Sequence, residues 1–156
     1  MSDAKGNTFE NELLLHIFNN AAIALIGDAG GLQPSVAAGS LYVSLHTATP
    51  DEAGNQTTNE TAYVIDGGST PYARKALART SGATGWDVSG NSVSPGANID
   101  FDECVSSPGA ALTHFAVGTT ATGTGKVLYY GTLTPNITMA AGVIPRVKTT
   151  STITEN

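Results

Sequence analysis

The sequence predicts a mainly β protein, an antiparallel sandwich or barrel-like domain of eight to ten short strands with one N-terminal amphipathic helix. Three observations lead there. In Ser40 to Gly54, SLYVSLHTATPDEAG, residues Leu41, Val43, Leu45 and Thr47 alternate with Tyr42, Ser44 and His46, the period of a strand with one buried face. Further short apolar segments follow, separated by Gly, Pro and Asn turns. Only the N-terminal segment carries a sustained helical period.

Residues 1–6 hold little to bury and read as a mobile arm. Phe9, Leu13, Ile17, Ala21 and Leu25 recur at i+4, with Leu14, Phe18 and Ala24 widening the stripe, so the helix is placed at 8–26. Asn7 or Thr8 is its expected cap, and Asn7 with Glu10 has the spacing of a capping box. Gly27 to Gly31 stops it, and 33–39 makes a turn. Pro50, Asp51 and Gly54 end the first strand, because proline has no N–H for a ladder and the others form turns. Residues 52–69 form a long polar loop, with a short strand at 62–65. Loops of this length are functional or disordered in isolation.

Tyr72 to Arg79 is the next strand, and its charges suit an edge or a partner-facing position. Ser89-Gly90-Asn91 turns a hairpin between 86–88 and 92–93, and Ala97 to Phe101 is another short strand. Leu112 to Val117 and Lys126 to Leu133 make the hairpin of the C-terminal half. Thr134-Pro135-Asn136 turns the chain again, and the last extended piece runs on to Ile153. The 156 residues suffice for one domain with a real core, the β part spanning 40–154.

Taken in order, the helix, SLYVSLHTATPDEAG, TPYARKALART, SGNSVSP, THFAVGT, KVLYYGTLT and GVIPRV resemble a family of small structural proteins of tailed bacteriophages, either tail-fibre-like or capsid decoration (cement) proteins. The resemblance runs from about Glu12 to Thr154. It implies a virion component that binds other virion proteins, with a small homo-oligomer, a trimer by analogy, as its working state.

Composition agrees with a structural role. Charged residues make up 13% of the chain, about half the usual share, so solubility rests on Thr, Ser, Asn and Gly. The net charge is −6, and between Asn7 and Tyr72 seven acids meet no Lys or Arg. From Ala73 onward six bases face five acids. An acidic first half argues against nucleic acid, whose phosphates call for clustered bases. Cys104 is the one cysteine, so a disulfide within the chain is excluded and a cytoplasmic folding site fits. LLLHIFNNAAIALIG lacks a preceding basic run, and no apolar run approaches the ~20 residues that span a bilayer, so neither signal-peptide export nor a membrane anchor is expected.

The chemistry-bearing candidates are weak. GTTATGTGKV at 118–127 has Thr120 where a P-loop needs its first glycine and Val127 where it needs Ser or Thr. Asp100 and Asp102 share a strand face that Glu103 leaves, too few oxygens for the six to eight calcium takes. Ser44, His46 and Asp51, or Cys104 with His114, can be assembled on paper into a triad or a dyad without any supporting motif. His16, His46 and His114 show no ligand spacing, and Trp86, Tyr129 and Tyr130 suit packing better than sugar stacking. No catalytic, cofactor or metal site is expected.

The main expectation is a cement protein on the outside of a phage head, made in the host cytoplasm and bound to the major capsid protein and to its own copies. There it would stabilise the shell by mass action and by bridging subunits. The alternative is a tail or tail-fibre component that recognises host-surface carbohydrate. Candidate partner contacts are Arg74, Lys75 and Arg79 on the charged strand, Glu52, Glu60 and Asp66 in the loop, and the N-terminal arm.

Overall fold

The computed structural model describes residues 5–156. Most of the expected arm, residues 1–4, lies outside the described residues, while Lys5 pairs with Glu155 at 2.9 Å. The chain is mainly β with one N-terminal helix, as the sequence predicts. Helix α1 is Asn7–Asn19, and nine strands follow: β1 (Ser40–His46), β2 (Lys75–Ala78), β3 (Trp86–Ser89), β4 (Ser92–Pro95), β5 (Ile99–Asp100), β6 (Leu112–Gly118), β7 (Val127–Ile137), β8 (Arg146–Val147) and β9 (Ile153–Thr154). They form sheets ordered β2-β1-β6-β7, β3-β4-β9 and β5-β8. The residues gather into two compact units, each woven from separate stretches of chain.

The first unit takes in the described residues up to Ser40, with Leu77–Asn98 and Lys148–Asn156. Here α1 packs on the β3-β4 hairpin. Phe18 meets Trp86 edge to face at 4.8 Å, and Asn19 donates to the Trp86 carbonyl at 2.9 Å. Leu14, Phe18, Ile23 and Val93 complete the apolar packing.

The helix departs from its expected form in three respects. It ends at Asn19 rather than Ile26, because Asn20 turns left-handed (φ 54°) and the Ala21 N–H closes on the Leu15 carbonyl at 3.1 Å. The Asn20 amide then holds the Ser35 backbone through both its oxygen and its nitrogen. Its N-cap is Gly6, with no side-chain cap bond, so Asn7 and Thr8 are already helical and the capping box does not form. Finally, the buried face is Glu10, Leu14 and Phe18, one residue round from the expected stripe, and it leaves Phe9 exposed. A stripe of i+4 apolar residues is wider than the contact that a single hairpin offers, so the partner selects its centre.

The second unit is Leu41–Ala76 with Ile99–Val147. Val43, Leu45, Tyr63, Tyr72, Phe101, Leu112 and Val117 form its core. β1 pairs antiparallel with β6 from Tyr42↔Gly118 to His46↔His114, and β6 with β7. The expected turn at Thr134-Pro135-Asn136 lies inside β7 instead. The ladder absorbs it as an irregularity between His114↔Thr132 and Leu112↔Ile137, and β7 stands at the end of the sheet order, where proline is tolerated. The strand expected from Tyr72 begins only at Lys75, since the Tyr72 N–H bonds the Tyr63 carbonyl. At 62–65, Val64 makes only single bridges, to Pro71 and to Ser106.

Candidate functional site

The loop after β1 returns to the sheet through a chain of bonds that sequence alone does not display. Thr61 N donates to the Leu45 carbonyl and Gln56 N to the Gly125 carbonyl. Gln56 is fully buried, and its Oε1 accepts from the Thr120 N–H at 3.0 Å and from the Thr120 hydroxyl at 3.2 Å. A backbone N–H can only donate, which fixes which amide atom faces it and leaves Nε2 buried without a partner. A Cβ at Gly118 or Gly125 would stand 2.1 Å from Gln56 atoms. Gly118 and Gly125 of GTTATGTGKV therefore make room for a glutamine, Gly123 takes a left-handed turn (φ 74°), and no phosphate is needed to explain them.

Beside this plug lies a charged cluster. Arg74 Nε and a terminal nitrogen reach the two oxygens of Glu60 at 2.8 and 2.7 Å, a fork-to-fork pair whose side chains are 3% and 15% exposed. The remaining guanidinium donors go to the carbonyls of Thr120 (3.1 Å) and Gly123 (2.9 Å), binding the β6–β7 connection to the same point. Tyr72, buried, donates to Glu60 and accepts from the Leu45 N–H at 3.2 Å. Burial, followed by the Glu60 charge, pushes its phenol up, and the Glu60 hydrogen bonds raise Arg74. The cluster floors an open groove of about 430 Å³, walled by Thr57, Thr61, Thr70, Pro71, Ala73, Ala121 and Thr122.

Four of the candidate contacts differ from their expected surroundings. Arg74 is a buried clamp and not an exposed strand charge, with Glu60 as its partner. Arg79 belongs to the first unit, where it donates to the carbonyls of His16, Ile17 and Ala38 and to the Ser35 hydroxyl. It is a cation at a helix C-terminus, where the macrodipole favours one. Asp66 shapes its own loop by accepting from the Gly68 and Thr70 N–H groups and the Thr70 hydroxyl, which hold its carboxyl below the usual range. Lys75 pairs with Asp102 at 2.9 Å, both partly exposed, and Glu52 is exposed.

The other candidates fall into ordinary roles. Ser44 and His46 do meet, with 2.9 Å between Oγ and Nε2, but both are fully buried and His46 Nδ1 faces the Thr58 carbonyl rather than Asp51. Nδ1 donates to the Thr58 carbonyl, and burial depresses the pKa and so favours the neutral imidazole, whose Nε2 then accepts from the Ser44 hydroxyl. Asp100 pairs with Arg146. Among the described residues no group of three or more His, Cys, Asp or Glu is arranged to hold a metal, and no helix is long and apolar enough to cross a membrane. Trp86 is buried against Phe18 and out of reach of a sugar.

These stretches, strands and loops alike, fall within a single family model. Residues 4–154 match the model of the Podophage GP4 fiber I protein gp80. The chain belongs to that family. The match extends across both compact units and identifies a phage structural, fibre-like family, the broader class that the resemblance implied. No curated protein matches the chain. In this gp80-family member the polar groups of the groove are spent on one another: Glu60 holds Arg74 and Tyr72, and Arg74 holds two carbonyls. What the groove offers an occupant is chiefly carbon.

Proposed function

We propose that the chain is a non-enzymatic fibre component of the virion, part of a tail or tail fibre, working as a homo-oligomer. The family match over 4–154 to a fibre protein carries this reading, and it favours the fibre over the capsid cement that the composition and segment order first suggested. The burial of Trp86 and the internal pairing of Arg74, Glu60 and Tyr72 favour a structural module over a carbohydrate reader. Five of the seven Lys and Arg residues are engaged within the chain, which supports protein partners over nucleic acid. Cryo-EM of the virion, with the chain quantified against the major capsid protein, tests the proposal. A small number of copies confined to the tail is expected; copies in proportion to the shell protein would return the chain to the capsid surface.

A further inference from the structure

A row of ionisable side chains crosses the end of β1. In the β1–β6 ladder His46 stands opposite His114, and on its other edge His46 bridges Glu60. Residues directly opposed in an antiparallel pair carry their side chains on the same face, with Cβ atoms about 5 Å apart. One acid and two imidazoles therefore line up across three adjacent stretches of chain. The middle ring is enclosed: His46 is fully buried, with Nδ1 2.9 Å from the Thr58 carbonyl oxygen and Nε2 2.9 Å from the Ser44 hydroxyl. The loop after β1 lies against it, fastened by the Thr47 N–H on the Asn59 carbonyl. Within that loop residues 57–59 run between two fixed points, Gln56 held on Thr120 and Glu60 held on Arg74. Thr57 and Asn59 are themselves exposed, so lifting this short segment uncovers little apolar surface.

A proton on His46 is poorly accommodated while the loop is closed. Glu60 supplies a favourable negative charge, but its oxygens already hold Arg74 and Tyr72. The Arg74 guanidinium and, when charged, the His114 ring both oppose a further positive charge there. A ring that donates from both nitrogens also turns the Ser44 hydroxyl hydrogen away from its acceptor, and Ser44 is fully buried. The Thr58 carbonyl favours the cation, yet burial outweighs it and the folded pKa falls below the ordinary value. Lifting 57–59 gives the imidazolium water in place of the closed site. We infer that His46 is an acid sensor for the loop after β1: its protonation favours a locally open state in which residues 57–59 leave the end of β1 while Gln56 and Glu60 stay anchored. Histidine is the side chain whose charge changes in this pH range, and local opening costs less than global unfolding. Thr57 also walls the groove over Arg74, so the same opening alters that surface.

Amide hydrogen exchange of the full chain, followed by NMR between pH 7.5 and pH 5 and corrected for the intrinsic pH dependence of exchange, tests the sensor. The ring titrates near 6.5 when open and lower when closed. Protection of the Thr47 and Thr58 amides, which bond the Asn59 and Asn55 carbonyls, should therefore fall below that pH by up to about tenfold per unit, and level off once the closed ring also protonates. The Thr61 and Thr120 amides, beside the anchors, should keep their protection, as should Ile23 and Leu32 in the first unit. His46→Gln should abolish the fall, and His114→Gln should retain it. Should His46→Gln fail to fold, titration of the His46 ring in the native chain decides, with a midpoint below 6.5 expected. A midpoint at or above 6.5, loop protection that does not change with pH, or a fall that His114→Gln abolishes overturns the inference. So does an equal loss at Ile23 and Leu32, which is global unfolding.

Discussion

At the scale of single residues, the Arg74 and Glu60 pair shows how a charge changes meaning with burial. An exposed Arg is a contact for a partner; a guanidinium only 3% exposed and bonded to a carboxylate and two carbonyls is a fastener for two loops. Removing one member strands the other, at a cost of about 3–5 kcal/mol. Arg74→Ala and Glu60→Gln should therefore each lower the urea midpoint sharply, whereas Lys75→Ala, which breaks a partly exposed pair, should cost no more than about 1 kcal/mol. Gln56 makes a second test. Gly118→Ala drives a methyl into its side chain, for an expected loss of about 1–3 kcal/mol. In a double-mutant cycle with Gln56→Ala the two effects should be non-additive, and strict additivity would mean that Gln56 does not set the need for glycine. His46 gives a pH dependence. Its folded pKa lies below the unfolded value near 6.5, so the unfolded chain takes up a proton first as pH falls. Stability from this group is complete above that pH and declines below it, until the folded imidazole also protonates. Chemical denaturation between pH 7 and pH 5 should show a slope that His46→Gln flattens.

At the scale of elements, α1 illustrates how periodicity sets the existence of a helix more firmly than its ends or its buried face. Leu14 and Phe18 are fully buried while Phe9 is exposed. Leu14→Ala should then cost about 2–5 kcal/mol and Phe9→Ala less than about 1 kcal/mol, measured by denaturant unfolding. Equal losses would restore the stripe centred on Phe9. Apolar residues continue past Asn19, yet the helix stops because Asn20 adopts the left-handed cap, its amide engages Ser35, and Arg79 takes the carbonyls of His16 and Ile17. The partners at Ser35 and Arg79 are remote in sequence, so a local pattern does not reveal them. β7 makes the same point. Thr134-Pro135-Asn136 is a turn by composition, but inclusion in the strand is tolerated because β7 ends the sheet order.

At the scale of the whole molecule, a fibre component and a shell cement differ in what their loss does to the particle. Cement adds binding energy to a finished shell, so its removal lets genome escape at lower temperature. A fibre component leaves the shell untouched. Phage lacking this chain should accordingly retain genome on heating like the parent and should fail in tail assembly or host attachment, scored by heat-release and adsorption assays. Early genome release with normal adsorption would favour the cement. Charge reversal at Arg74, which an exposed strand would tolerate, is a poor probe of either interface, because it unfolds the clamp first.

The alternation in SLYVSLH, the Gly, Pro and Asn turns between short apolar runs and the lone helical period were enough to determine a mainly β chain with one N-terminal helix, and the order of its segments pointed to a phage structural family. These are local or compositional signals: a period of two or 3.6, or a residue whose backbone preference ends an element, acts within a few neighbours. The roles of Arg74, Glu60, Arg79 and Gln56 were decided by tertiary structure alone. Whether a polar side chain is exposed or buried depends on which distant backbone lies beside it, as Thr120 and Gly123 lie beside Arg74, and Ile17 beside Arg79. The uncovered Leu25 is the converse case. By periodicity it belonged to the helix stripe, and only the left-handed cap at Asn20 turned it out of that stripe to the surface.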